Sequence, residues 1–121
     1  MNVVSNASHM PMTNSLVYNA SKAAAHMMTL QLARELTKKN GITVFGVSPA
    51  KIADTAMSEE IDERVPELRG WTKEEAIAYQ RAGMVTGQEV ALEPLVEFIS
   101  FLLSAKSRHY HLSGCVLPYG A

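Results

Sequence analysis

Tyr18 and Lys22, in the stretch "SLVYNASKAAAH", stand four residues apart at the start of an alanine-rich run. On a helix that spacing projects both side chains from one face. A free phenol, with a pKa near ~10, holds its proton at neutral pH, and a nearby ammonium favours the phenolate. The pair therefore suits general acid/base work on an alcohol or carbonyl oxygen. Ser5 precedes Tyr18 by thirteen positions and ends a short β-branched run. Its hydroxyl is placed to hydrogen-bond a carbonyl oxygen on which negative charge develops. Such a trio fits proton transfer at an alcohol oxygen while a hydride moves elsewhere. The same spacing also arises in ordinary helices, where a tyrosine packs over the stem of a snorkelling lysine.

These residues need elements that hold them. "NVVS" (Asn2 to Ser5) reads as a strand ending near Ser5, and the Ser-, Asn-, Thr- and Pro-rich stretch from Asn6 to Ser15 as a loop. Ala20, Ala24, Met27, Met28, Leu32 and Leu36 then recur at three- and four-residue steps, the apolar stripe of a helix. Lys38 and Lys39 suit its negative end and Gly41 the position after it. "ITVFGV" (Ile42 to Val47) is nearly all apolar and reads as a strand buried on both faces. Pro49 interrupts regular structure, and Pro66 and Gly70 divide residues 57–81 into short helices. A further helix carries Val90, Leu95, Val96, Ile99, Leu102 and Leu103, with Thr86 or Gly87 before it and Pro94 near its first turn. After the polar link containing "RHYHLSG", "CVLP" supplies a last strand. The order β-α-β-(short helices)-α-β implies a parallel α/β sheet over one domain, residues 1–121, without internal repeats.

Composition bounds the function. The chain has 121 residues, 47% hydrophobic and 19% charged, as in a globular domain. A net charge of −1 and the lack of a basic stripe argue against nucleic-acid binding. No apolar run reaches the length of a membrane span, and no secretory core is visible at the N-terminus. The single cysteine, Cys115, excludes an intrachain disulfide, and the chain is read as cytoplasmic. The seven methionines are scattered and read as core filling rather than metal ligands.

"YNASK" with the alanines behind it resembles the Tyr-x-x-x-Lys motif of the short-chain dehydrogenase/reductase family. Ser5 falls where that family keeps a catalytic serine at a strand end. "GITVFGVSPAKIADTAM" resembles its next strand and the following cofactor and substrate loop, and "GQEVALEPLVEFISFLLSAKSRHYHLSGCVLPYGA" its last helix and closing strand, ending in Gly120. The match runs in order from Met1 to Ala121. The resemblance implies the C-terminal portion of a Rossmann-like, doubly wound parallel sheet. It implies NAD or NADP as cofactor and interconversion of carbonyl and alcohol. Tyr18 would then be the acid/base, Lys22 would lower its pKa and hold the nicotinamide ribose, and Ser5 would polarise the substrate oxygen. By the same resemblance Tyr18, Lys22, Pro49, Ile52 and Thr55 would contact cofactor.

The sequence also departs from the family. No glycine-rich dinucleotide turn occurs, nor the family's Asn-Asn-Ala-Gly segment, so the chain is expected to be a truncated domain lacking the dinucleotide-binding half. Pro-Gly becomes Pro49-Ala50, and the usual threonine is replaced by Asp54, with Thr55 one residue later. Three readings follow. One is an NAD(P)-dependent oxidoreductase. Another is a non-catalytic domain that self-associates as a homodimer or higher homo-oligomer through the Tyr18 helix and an open sheet edge. The last is one half of an enzyme completed by a separate chain.

Other residues carry less. His109 and His111 have a spacing that can chelate a metal on a strand, but a solvated loop accounts for them, and no metal site is expected. His9 either lines a substrate pocket or is exposed, and His26 has no assigned role. Cys115 reads as an inert core thiol, and Trp71 and Tyr79 as packing between short helices or the wall of a pocket.

Overall fold

The computed structural model describes residues 1–104 and 109–120. Three parallel strands, β1 (Asn2–Val3), β2 (Gly46–Pro49) and β3 (Val116–Tyr119), lie side by side in the order β1-β2-β3. Their pairing aligns Asn2 with Gly46, Val3 with Val47, and Gly46 through Pro49 with Val116 through Tyr119. Between them run α1 (Leu16–Asn40), α2 (Ala56–Arg69), α3 (Lys73–Ala82) and α4 (Leu92–Ser104). The expected α/β order and parallel sense are those observed. The first part of the polar link, residues 105–108, and Ala121 lie outside the described residues.

The core joins the sheet to α4. Phe45, Val47 and Ala50 pack with Val90, Leu95 and Leu102, and Phe98, Ile99, Leu117 and Tyr119 close around them. The Phe98 and Tyr119 rings stack at 5.3 Å. α1 stands outside this cluster and is tied to the sheet by polar contacts. Asn2 Nδ2 donates to the Thr29 hydroxyl at 3.0 Å, and that hydroxyl donates to Ala25 O at 2.8 Å. Thr29 is fully buried, so both bonds satisfy a polar group that would otherwise be stranded.

Local structure departs from the sequence expectation in four places. The strand expected over 42–47 begins only at Gly46, although Val44 and Phe45 are buried. Upstream of it, Thr37 Oγ1 donates to Ile42 O at 2.8 Å, Val44 N donates to Ser113 Oγ at 3.0 Å, and Gly114 N donates to Val44 O at 2.9 Å. Side-chain hydroxyls and a turn therefore satisfy that backbone in place of a neighbouring strand. Pro66 does not divide α2 but lies inside its last turn; the helix ends at Gly70, whose φ of 66° turns the chain, with Gly70 N bonded to Pro66 O. α4 starts at Leu92, so Val90 lies ahead of it rather than on it; Pro94 falls in its first turn as expected, and residues 83–88 form turns before it.

The fourth departure concerns α1. Its buried line is Thr29 and Ala33, flanked by the half-buried Lys22, Ala25 and His26. The large apolar residues of its first half face outward instead, Leu16 83% exposed, Val17 82%, Met27 62% and Met28 60%, while Leu32 and Leu36 are half-buried. The periodic stripe exists, but small and polar residues allow the other face to approach the sheet and the serine segment closely.

Candidate active site

In parallel strands the carboxyl ends share one edge, the usual ligand side of an open α/β sheet. β1 runs into Val4, whose N–H bonds Val47 O at 2.8 Å, and then into Ser5. β2 ends at Pro49, and Ala50 N bonds Tyr119 O at 2.9 Å. Ser5 and Pro49 thus sit on neighbouring strand ends. Ser48, the residue before Pro49 on β2, is buried with a hydroxyl that has no partner among the described residues.

Ser5 starts a short 3-10 turn, Asn6–Ser8, and is buried. Its Oγ accepts from Ala7 N at 3.2 Å and donates to Asn6 Oδ1 at 3.3 Å. Neither bond runs to Tyr18, so the serine is held locally. Tyr18 lies in the first turn of α1, 37% exposed, and Lys22 Nζ lies 5.8 Å from its ring centroid. The tyrosine and lysine share one helix face, as their spacing requires.

Two residues fix that helix against the serine segment. Asn19 Nδ2 donates to Ala7 O at 2.8 Å and to Met10 O at 2.7 Å. Ser8 Oγ is hydrogen-bonded to His26 Nδ1 at 3.0 Å and to His9 Nδ1 at 3.2 Å, with the two rings edge to face at 6.5 Å. Sequence reasoning assigned nothing to Asn19 or His26. Their positions, next to Tyr18 and one helical turn past Lys22, were the only signal they carried.

The loop after β2 is held by a bridge between Ile52 and Val90, with Ala53 N bonded to Val90 O and Val90 N to Lys51 O, each at 2.9 Å. Asp54 adopts a φ of 55°, uncommon for a residue with a side chain. Thr55 caps α2. Its hydroxyl accepts from Ser58 N at 3.2 Å and donates to Ile52 O at 3.2 Å, while Thr55 N bonds Ser58 Oγ at 3.1 Å. That reciprocal arrangement gives Thr55 a structural task. Lys51 was also missed by the sequence reading. Its Nζ lies 2.5 Å from Asp62 Oδ1 on α2 and 2.9 Å from Glu89 Oε1, with only 10% of its side chain exposed.

The remaining candidates stand apart. His109 packs edge-on to Phe101 at 5.4 Å and His111 is exposed. Among the described residues no group of three His, Cys, Asp or Glu side chains is placed to hold a metal. Trp71 and Tyr79 pack together at 5.1 Å. No helix among the described residues is long and apolar enough to cross a membrane.

A sequence profile of the family described as short chain dehydrogenase matches residues 1–66, more than half the chain and the part that holds Ser5, Tyr18, Lys22, Pro49 and Ile52. The chain belongs to the short-chain dehydrogenase family. Solved structures carry the same architecture. A short chain dehydrogenase family protein from Francisella tularensis subsp. tularensis SCHU S4 is 27% identical, with a TM-score of 0.79 over 96% of this chain and 47% of that one. An L-sorbose reductase from Gluconobacter frateurii, complexed with NADPH and L-sorbose, is 22% identical, with a TM-score of 0.75 over 98% and 44%. An NAD+-bound xylitol dehydrogenase is 21% identical, with a TM-score of 0.86 over 99% and 47%. The last two likenesses concern the fold alone. No curated protein matches significantly. The chain spans under half the length of each of these three proteins.

The residues present fit one end of a nicotinamide dinucleotide. Tyr18 and Lys22 offer a hydroxyl and a half-buried ammonium that has no carboxylate partner among the described residues. These are donors suited to ribose and carboxamide oxygens. No glycine-rich turn in this sequence offers a cradle for the pyrophosphate.

Proposed function

We propose that this short-chain dehydrogenase chain carries the acid/base part of an NAD(P)-dependent oxidoreductase that interconverts a carbonyl and an alcohol. The observation that carries the reading is the Tyr18–Lys22 pair, accessible on one face of a helix that Asn19 and His26 pin to the Ser5 segment. A dinucleotide held beside Tyr18 and Lys22 would supply or accept the hydride. Tyr18 Oη holds the proton exchanged with the substrate oxygen, and the Lys22 ammonium lies beside its ring. Ser5 donates to the same oxygen once its weak bond to Asn6 is exchanged for the substrate. Lys22, Pro49, Ile52 and Thr55 line the nicotinamide end. The single cysteine, which leaves no disulfide to form within the chain, fits a reducing cytoplasmic setting.

Titration of the purified chain with NADH and NADPH, followed by nicotinamide fluorescence, tests this reading. Saturable binding is expected, weakened about tenfold or more in Lys22→Ala through loss of a charge-assisted hydrogen bond. No binding at millimolar nucleotide would sink a stand-alone oxidoreductase and favour completion by a separate chain.

A second reading concerns assembly, and the outward stripe of α1 supports it. Val17, Met27 and Met28 recur along one side of the helix and are all more than half exposed. We infer that this side pairs with its copy in a homodimer or higher homo-oligomer, burying apolar surface at about 25 cal/mol per Å2. The double substitution Met27→Glu with Met28→Glu should raise the dissociation constant about a hundredfold, because carboxylates would be desolvated at the interface. Light scattering coupled to gel filtration reads the result. A monomeric native chain would end this reading.

A further inference from the structure

Between the Thr13–Ser15 segment and the outer side of α2 lies a cleft of about 200 Å3. Ser15 leads directly into α1, so the cleft opens beside the helix start that carries Tyr18. Its charged lining is Glu60, Arg64 and Arg69. Glu60 and Arg64 are paired with each other at 3.0 Å, so they largely cancel.

Arg69 is different. Its guanidinium lies 4.7 Å from the Trp71 ring centroid and 4.9 Å from that of Tyr79, and the side chain is half-buried. Two aromatic faces fix its orientation before any ligand arrives, which lowers the entropic cost of binding. Among the described residues no carboxylate pairs with it. Its one hydrogen bond among the described residues, to Thr13 O at 3.5 Å, is long and leaves most of its donors open. A rigid, unpaired guanidinium fork on a cleft wall matches a planar carboxylate.

We propose that this cleft takes the carboxylate tail of a small oxo or hydroxy acid, with Arg69 as the receptor. The inference rests on the oxidoreductase reading for the role of the other end of that molecule. One unpaired cation suits a monoanion, whereas a phosphate dianion would leave one negative charge uncompensated. The volume lies below the usual range for drug-sized ligands, so the tail is short.

Trp71 is the single tryptophan of the chain and stacks on Arg69, so its fluorescence reports the site directly. Levulinate, its neutral methyl ester and dihydroxyacetone phosphate are titrated against the full chain. Levulinate should give a saturable change with about tenfold higher affinity than the ester, the increment of one charge-assisted hydrogen-bonded pair. Arg69→Gln should remove that preference, and Arg69→Lys, which keeps charge without the fork, should restore only part of it. The acid–ester comparison in the native chain stands even if a variant misfolds. Equal affinity for acid and ester overturns the proposal, and tighter binding of the phosphate ester overturns the carboxylate assignment. Acid binding without nucleotide binding would keep this site and remove the oxidoreductase reading. Nucleotide binding with no acid preference would do the reverse.

Discussion

Replacing Lys51 by methionine is expected to lower stability by about 3 kcal/mol, near the lower end for breaking a buried ion pair. Lys51 touches two carboxylates, Asp62 at 2.5 Å and Glu89 at 2.9 Å, whose side chains are only 20% and 17% exposed. Methionine keeps the stem but leaves both carboxylates facing an apolar group and each other. The long contact of Gln80 Nε2 with Asp62, 3.5 Å, cannot replace the ammonium. For a chain of this size the loss corresponds to about 10 °C in Tm. Adding Asp62→Leu and Glu89→Leu should recover most of the deficit, since a well-packed apolar cluster can match a buried ion group. A melting point within about 2 °C of the native chain in Lys51→Met would show the triad to be effectively solvated. The functional consequence is local. Lys51 lies between Pro49 and Ile52, so its loss frees the loop from α2 and from Glu89, while the backbone bridge to Val90 remains.

That triad was not legible in the sequence. Lys51, Asp62 and Glu89 are separated by stretches that form a loop, a helix and a turn, and no periodicity links them. Tyr18 and Lys22 were legible because helical geometry fixes neighbours at four residues, whatever the tertiary fold. The parallel sense of the strands followed from alternation of β and α segments, which leaves few connections open. The facing of α1 was not legible in the same way. Its stripe from Ala20 to Met28 is a true helical period, but periodicity shows only that a face is apolar. Here Asn2 selects the opposite face through Thr29, and Asn19 through the carbonyls of Ala7 and Met10. Polar side chains chose the packed side, and they look unremarkable in a linear reading. Pro66 misled for a related reason. Proline breaks a helix by removing a donor and crowding the preceding turn, yet at the end of α2 its carbonyl still receives Gly70 N and Trp71 N.

Gly120 is the second position where one substitution should act strongly. Its φ is 78°, and a Cβ there would lie 2.4 Å from Val90 Cγ2, with Ala50 Cβ at 3.7 Å. Val90 is buried in the core and stiff at χ1, so it has little room to yield. Alanine should therefore combine a left-handed backbone penalty of about 1 kcal/mol with overpacking of about 2 kcal/mol. Gly87 separates the two contributions: its φ is 67° and nothing lies within 4 Å of a methyl added there, so Gly87→Ala should show the backbone penalty alone. Urea unfolding of both variants makes the comparison, with equal losses ruling out the clash. In a double-mutant cycle with Val90→Ala, the Gly120 penalty should shrink by about 1–2 kcal/mol, because the two sites are in contact. The consequence reaches the site, since Val90 bridges Ile52 and receives Ala53 N. A methyl at Gly120 pushes on the residue that holds the Pro49–Thr55 loop in place, so nucleotide affinity should fall in Gly120→Ala and be unchanged in Gly87→Ala.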